Sequence, residues 1–291
     1  MIRRWVHCPI VCLSAASAAP AVHVGTSGYS FADWVGPFYP PGTKSGDFLR
    51  HYATQFSCVE VNSTYYGIPK PHVLDAMQRK TPDDFRFVVK LNQAMTHERA
   101  TGEALYRDFL GAIQPLKDAG KYHGLLAQFP WGFRRDEPNK AHLEFLRGAF
   151  PGEPLWVEFR HSSWVHPALP GWLRERQLGY CDVDEPALPG LVPPLGHVTT
   201  DTAYVRFHGR NEKTWWARGG GGDRYDYDYS QRELLEWVER IRKLSEQAKQ
   251  TYLFFNNCHA GQAAREPLQR GDGEVEGGGV LGGPARAQGH Q

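Results

Sequence analysis

A closed (β/α)8 barrel, an α/β TIM-barrel architecture, is the fold class this sequence predicts, and three observations predict it. Eight short strand-like runs recur along the chain, helical patterns separate most of them, and no glycine-rich GxGxxG turn supplies the dinucleotide signature of an open doubly wound sheet. The length of 291 residues suits this choice, because such barrels often occupy about 250 residues as one unit.

The strands are expected, in order, at 22–29, 58–64, 85–92, 123–129, 155–161, 179–184, 203–209 and 251–257. Side chains alternate between the two faces of a strand. Glu60 therefore shares a face with Asn62, Glu158 with Arg160, and Arg206 with His208 and Arg210, while valine and phenylalanine fill the opposite faces. Burying an unpaired charge costs on the order of several kcal/mol, so charges recurring inside apolar runs imply a polar cavity.

Helices are expected at 45–56, 71–80, 103–119, 139–150, 166–177 and 230–249. The last is the best marked. Ser230 is its N-cap, Glu233 completes a capping box, and Leu234, Leu235, Trp237, Val238, Ile241 and Leu244 recur near helical spacing. Two stretches break the alternation. Residues 185–202 are proline-rich and form an irregular connection between the sixth and seventh strands. Residues 210–229 hold four glycines at 219–222, a Trp215–Trp216 pair that packs or covers a ligand, and Tyr225, Tyr227 and Tyr229, which read as a short extended edge or as base-stacking rings.

The barrel is expected to span residues 21–265. Residues 1–20 read as a leader or a disordered extension: a basic start, a short apolar stretch and small residues loosely resemble a secretory signal. Residues 266–291 contain eight glycines and two prolines, a composition that cannot pack a core. Disorder is expected there, in place of a closing helix, and a shifted reading frame would account for it. Lys plus Arg (33) balances Asp plus Glu (32), so no global field favours nucleic acid or an anionic membrane. Five scattered cysteines, at 8, 12, 58, 181 and 258, point to reduced thiols in a cytoplasmic setting. No run approaches the roughly 20 apolar residues that span a bilayer.

Taken together, several motifs carry a family resemblance. They are Val24-Gly-Thr-Ser-Gly-Tyr29, Val59-Glu-Val-Asn-Ser-Thr-Tyr-Tyr66, Lys90 with Thr96-His97, Gln128-Phe-Pro130, Val157-Glu-Phe-Arg-His161, Tyr204-Val-Arg-Phe-His-Gly-Arg210 and Phe254-Phe-Asn-Asn257. In this order, from about residue 22 to 265, the chain resembles the YecE-like family, the domain of unknown function numbered 72. The resemblance implies a TIM barrel and a bacterial cytoplasmic protein, and it implies no settled reaction. The leader and the glycine-rich tail depart from the family pattern.

TIM-barrel enzymes place their sites at the C-terminal ends of the strands. That rule gathers Glu60, Asn62, Lys90, Gln128, Glu158, Arg160, Arg206, His208, Arg210 and Asn257 at one mouth. One reading is a pocket for a small anionic or phosphate-bearing substrate. In it Arg160 and Arg206 clamp the anion, Glu158 or Glu60 is the general base, His208 is the acid or a proton shuttle, and Asn62 and Asn257 orient hydroxyls; hydrolysis and isomerisation both fit. Lys90 is either an amine nucleophile or half of an ion pair. The other reading of the same charges is a buried salt-bridge lattice that only holds the barrel together.

No nucleotide cofactor is expected. Glu60, Glu158, Asp182 and His208 are of the types that bind a divalent metal, although the arginines compete for the same carboxylates. Nucleic acid is a second candidate partner, through an endonuclease IV-like nuclease or a simple binder. A barrel that serves only as a scaffold is a third alternative. No membrane or protein partner is indicated.

Overall fold

The computed structural model describes residues 20–217 and 223–265. The leader reading, the 266–291 tail reading and the glycines at 219–222 fall outside these residues, as do Cys8 and Cys12. Cys58 and Cys181 are buried free thiols.

Eight parallel strands close into one barrel in sequence order. They are β1 (Ala21–Ser27), β2 (Cys58–Val61), β3 (Arg86–Lys90), β4 (Tyr122–Gln128), β5 (Leu155–Glu158), β6 (Gly179–Asp184), β7 (Thr202–Phe207) and β8 (Gln250–Phe255). Closure is made by β1 against β8, with Ala21 opposite Gln250 and Thr26 opposite Phe255. All eight expected strands are present. All but β6 end earlier than alternation alone suggested, because the chain leaves the sheet to enter each βα loop.

The helices are α1 (Phe48–Tyr52), α2 (Ser63–Tyr66), α3 (Pro71–Gln78), α4 (Gln93–Thr96), α5 (Glu103–Asp118), α6 (Glu137–Ala149), α7 (Leu169–Glu175), α8 (Gln231–Glu246) and α9 (Gln262–Arg265). The capping box of α8 is formed: Ser230 N–H donates to Glu233 Oε2 at 2.9 Å, and Glu233 N–H donates to Ser230 Oγ at 3.4 Å. The 185–202 connection carries no helix, as its prolines suggested. Short α2, whose first two residues the second strand expectation had included, and α4, which no expectation covered, matter most for the site. Asn92 caps α4 through Ala94 N–H and donates to the Thr64 and Tyr65 carbonyls, and Thr64 Oγ1 donates to the Lys90 carbonyl at 2.6 Å. These bonds fix α2 against the end of β3.

The barrel interior is aromatic below and ionic above. Trp156, Tyr204, Tyr252 and Phe254 pack with ring centroids 5.0–6.3 Å apart. The indole of Trp156 fits because Gly124 and Gly179 face it; a Cβ at Gly124 would come within 2.4 Å of the ring and one at Gly179 within 2.2 Å. Trp34 and Trp164 are buried core side chains whose indole N–H groups donate to the Cys258 and Phe133 carbonyls. Among the described residues no helix is long and apolar enough to cross a membrane.

Candidate functional site

The charged residues of β2, β5 and β7 meet inside the barrel. Arg206 donates through Nη2 to Glu60 Oε1 at 2.7 Å and to Ser27 Oγ at 3.2 Å, and through Nη1 to Glu158 Oε2 at 2.6 Å. Tyr204 donates its hydroxyl proton to the second oxygen of Glu60 at 2.6 Å. Glu60 and Glu158 are 0% exposed and Arg206 is 1% exposed, so these ions are bound to one another with no water between them. The single guanidinium bridges two carboxylates, the planar fork geometry that lysine cannot reproduce.

Arg160 links this network to the rim. Its Nε approaches Glu158 Oε1 to 2.5 Å, as an ion pair rather than an aligned hydrogen bond. Its Nη1 donates to Glu185 at 3.0 Å, and its Nη2 lies 3.1 Å from His208 Nε2. Burial alone would raise the Glu158 carboxyl, but the charges of Arg160 and Arg206 hold it well below the usual range. Burial and the Arg160 charge push His208 down to about 3. Its imidazole is neutral near pH 7, accepts from the Asn256 amide at 3.0 Å, and sits 3.2 Å from Glu158. Burial raises Glu185 to about 7 against the pull of Arg160.

In front of this network opens a cavity of about 310 Å³. Its polar wall is Lys90, His97, Gln128, Arg160 and Arg224; its apolar wall includes Tyr65, Tyr66, Trp131, Trp215, Trp216 and Tyr225. Tyr66 is 79% exposed and Trp216 is 50% exposed, and these two rings mark the opening. The ring of Trp215 is flanked by two guanidiniums, with Arg160 and Arg224 each 5.8 Å from its centroid. Lys90 Nζ lies 4.5 Å from the Tyr65 ring centroid. Burial, reinforced by Arg206 and opposed by Glu60 and Glu158, lowers Lys90 to about 7. Burial and the charge of Lys90 lower His97 to about 4.

The expected residues therefore divide. Lys90, Gln128 and Arg160 line the cavity. Glu60, Glu158, Arg206 and His208 are brought together behind it. Asn62 leaves the sheet plane, because β2 stops at Val61 and Asn62 is the helical N-cap of α2. Arg210 turns away at Gly209, whose φ of +84° ends the alternation, and pairs with Asp184 at 2.7 Å and Glu236 at 3.0 Å beside α8. Asn257 is buried and donates its amide to the Tyr227 carbonyl at 2.8 Å.

The expected metal-binding types do not assemble into a centre. Asp182 accepts from the Leu195 and Gly196 amides at 2.9 and 2.8 Å and thereby pins the β6–β7 connection. Glu60 and Glu158 are engaged by Arg206, and among the described residues no group of three or more His, Cys, Asp or Glu side chains could hold an ion. The Tyr225–Tyr227–Tyr229 alternation forms no strand: Tyr225 faces the cavity, Tyr227 donates to Glu233, and Tyr229 donates to Asp184 at 2.8 Å. Trp131 and Arg224 gave no sequence signal, because one lies in a turn and the other in a single 3-10 turn (Asp223–Tyr225), neither with a periodicity to place it.

Residues 23–270 match the family described as "Protein of unknown function DUF72". The chain is 31% identical over 265 residues to the UPF0759 protein YunF of Bacillus subtilis, spanning 84% of this chain and 91% of that protein. It superposes on the crystal structure of a DUF72 family protein from Thermotoga maritima with a TM-score of 0.78 and 43% identity, over 85% of this chain and 96% of that one. For a DUF72 family protein of Enterococcus faecalis the TM-score is 0.77 and the identity 29%, over 85% and 93% of the two chains.

Proposed function

This chain belongs to the DUF72 family, whose description states no reaction, and we propose from the site itself that it is an enzyme for a small anionic, phosphate-bearing substrate. The observation that carries this reading is the charge balance of the mouth cavity. Glu60 and Glu158 are bound to Arg206, and Glu158 and Glu185 to Arg160, whereas Lys90 and Arg224 on the cavity wall have no carboxylate partner among the described residues. An anion entering there meets cations whose nearest carboxylates are already engaged, and aromatic rings flank the carbon skeleton it carries.

Hydrolysis and isomerisation both need a group that exchanges a proton near neutral pH. Glu158 is held ionised and His208 neutral, so the two serve to orient Arg160. Proton exchange at the wall falls to Lys90, whose ordinary value has been brought to about 7. The setting we favour for this chemistry is the bacterial cytoplasm.

Calorimetric titration of the full chain with inorganic phosphate and a panel of sugar phosphates tests the reading. Affinity is expected to fall about tenfold in Arg224→Ala and in Arg160→Lys, the loss of roughly one charge-assisted hydrogen bond. Absence of binding at millimolar phosphate would end the proposal. The exposed rings of Tyr66, Trp131 and Trp216 favour one second reading, stacking of single-stranded bases. Oligonucleotide affinity that drops steeply with salt, with no small-phosphate binding, would select it.

A further inference from the structure

We propose that Lys90 is an amine nucleophile that forms an imine with a carbonyl-bearing anionic substrate held in the mouth cavity. The inference rests on the anion-binding reading above and names the substrate class, a small ketone or aldehyde that also carries phosphate.

Two lysines of this barrel, the buried Lys121 and the half-buried Lys90, differ in what surrounds their Nζ atoms. Lys121, 3% exposed, donates to the Gln78 and Thr81 carbonyls at 2.8 and 2.9 Å and lies 3.4 Å from Thr81 Oγ1. That is the setting of a structural ammonium, with an acceptor for each proton. Lys90 has no ion pair with a carboxylate among the described residues. The two carboxylates nearest in charge, Glu60 and Glu158, are engaged by Arg206 and Arg160, and what lies against its Nζ is the Tyr65 ring. Guanidiniums in the same enclosure disfavour a further cation. The amine is thereby available as a neutral base and nucleophile at the pH where an exposed lysine is protonated. Its backbone is fixed by the Thr64 bond to the Lys90 carbonyl, and its side chain ends on the cavity wall beside Gln128 and Arg160.

The step balances without a redox partner. The Nζ lone pair forms a C–N bond to the carbonyl carbon as the C=O π pair moves to oxygen. One proton passes from nitrogen to that oxygen and a second comes from solvent; the oxygen leaves as water, and the carbon remains joined to Nζ as an iminium. Arg160 and Arg224 would hold the phosphate while this occurs, and the cavity of about 310 Å³ limits the substrate to a small phosphorylated metabolite.

The full chain is incubated with dihydroxyacetone phosphate and cyanoborohydride, which reduces an imine to a stable secondary amine, and the adduct is located by peptide mass spectrometry. Labelling at Lys90 is expected to exceed that at the exposed Lys243 by about tenfold or more, to rise as pH passes about 7, and to be slowed by inorganic phosphate only at Lys90. Equal labelling of surface lysines with Lys90 untouched overturns the inference. A parallel thermal-shift titration with inorganic phosphate separates the two proposals. Phosphate stabilisation without Lys90 labelling removes the imine and leaves the anion pocket; neither effect removes both.

Discussion

Two regions of the same barrel mouth both carry charged side chains but surround them differently. Behind the cavity, Glu60, Arg206 and Glu158 form a dry lattice in which each ion is matched by another ion or a hydroxyl. At the cavity wall, Lys90 and Arg224 face open volume and aromatic rings. Charge density alone is therefore a poor guide to chemistry. The lattice holds the more charge, but its ions are already matched to one another, whereas Lys90 and Arg224 have no carboxylate partner among the described residues.

Removing the bridge should have the largest effect. Arg206→Leu leaves two carboxylates buried without their guanidinium, and the expected loss is about 3–5 kcal/mol, read from the urea midpoint. A wild-type midpoint would break the contrast, because the lattice would then contribute nothing to stability.

A pH titration sharpens it next, since the two regions respond with the same sign but in different pH windows. Glu158 is depressed below its ordinary 4.5, so its contribution is present above that value and fades as pH falls further. Lys90 is depressed from 10.5 to about 7. Between those values the unfolded chain binds the extra proton, so stability from this group rises with pH across that window. Lys90→Met should therefore be less sensitive to pH than the parent between about 7 and 10.5, measured as the difference between the two denaturation midpoints. An unchanged slope would mean that Lys90 is held as an ammonium.

The smallest expected effect lies at the rim. Trp216→Ala removes a ring that is 50% exposed, so stability should shift by no more than about 0.5 kcal/mol, while affinity for a phosphorylated ligand should weaken about fivefold, in line with roughly 1 kcal/mol of lost stacking. A large fall in melting temperature would assign the ring to packing instead.

Much of this was legible in the chain itself. Eight strands, the capping box at Ser230 and Glu233, the helix-free 185–202 connection and the charged ends of β2, β5 and β7 all follow from rules that act over a few residues: side-chain alternation, helical spacing and turn chemistry. What local rules could not decide is which charges saturate one another. Arg206 reaches Glu60 across 146 residues of sequence, and only closure of the barrel brings them within hydrogen-bond range. Strand ends were equally undecidable, because alternation continues in the sequence after the backbone has left the sheet at Asn62 and Gly209. Lys90, Trp131, Trp215 and Arg224 are gathered from separate loops and strand ends into one cavity. Sequence determined the elements and their polar ends; tertiary structure decided which of those ends are closed on themselves and which remain open, because burial and pairing are properties of the assembled barrel.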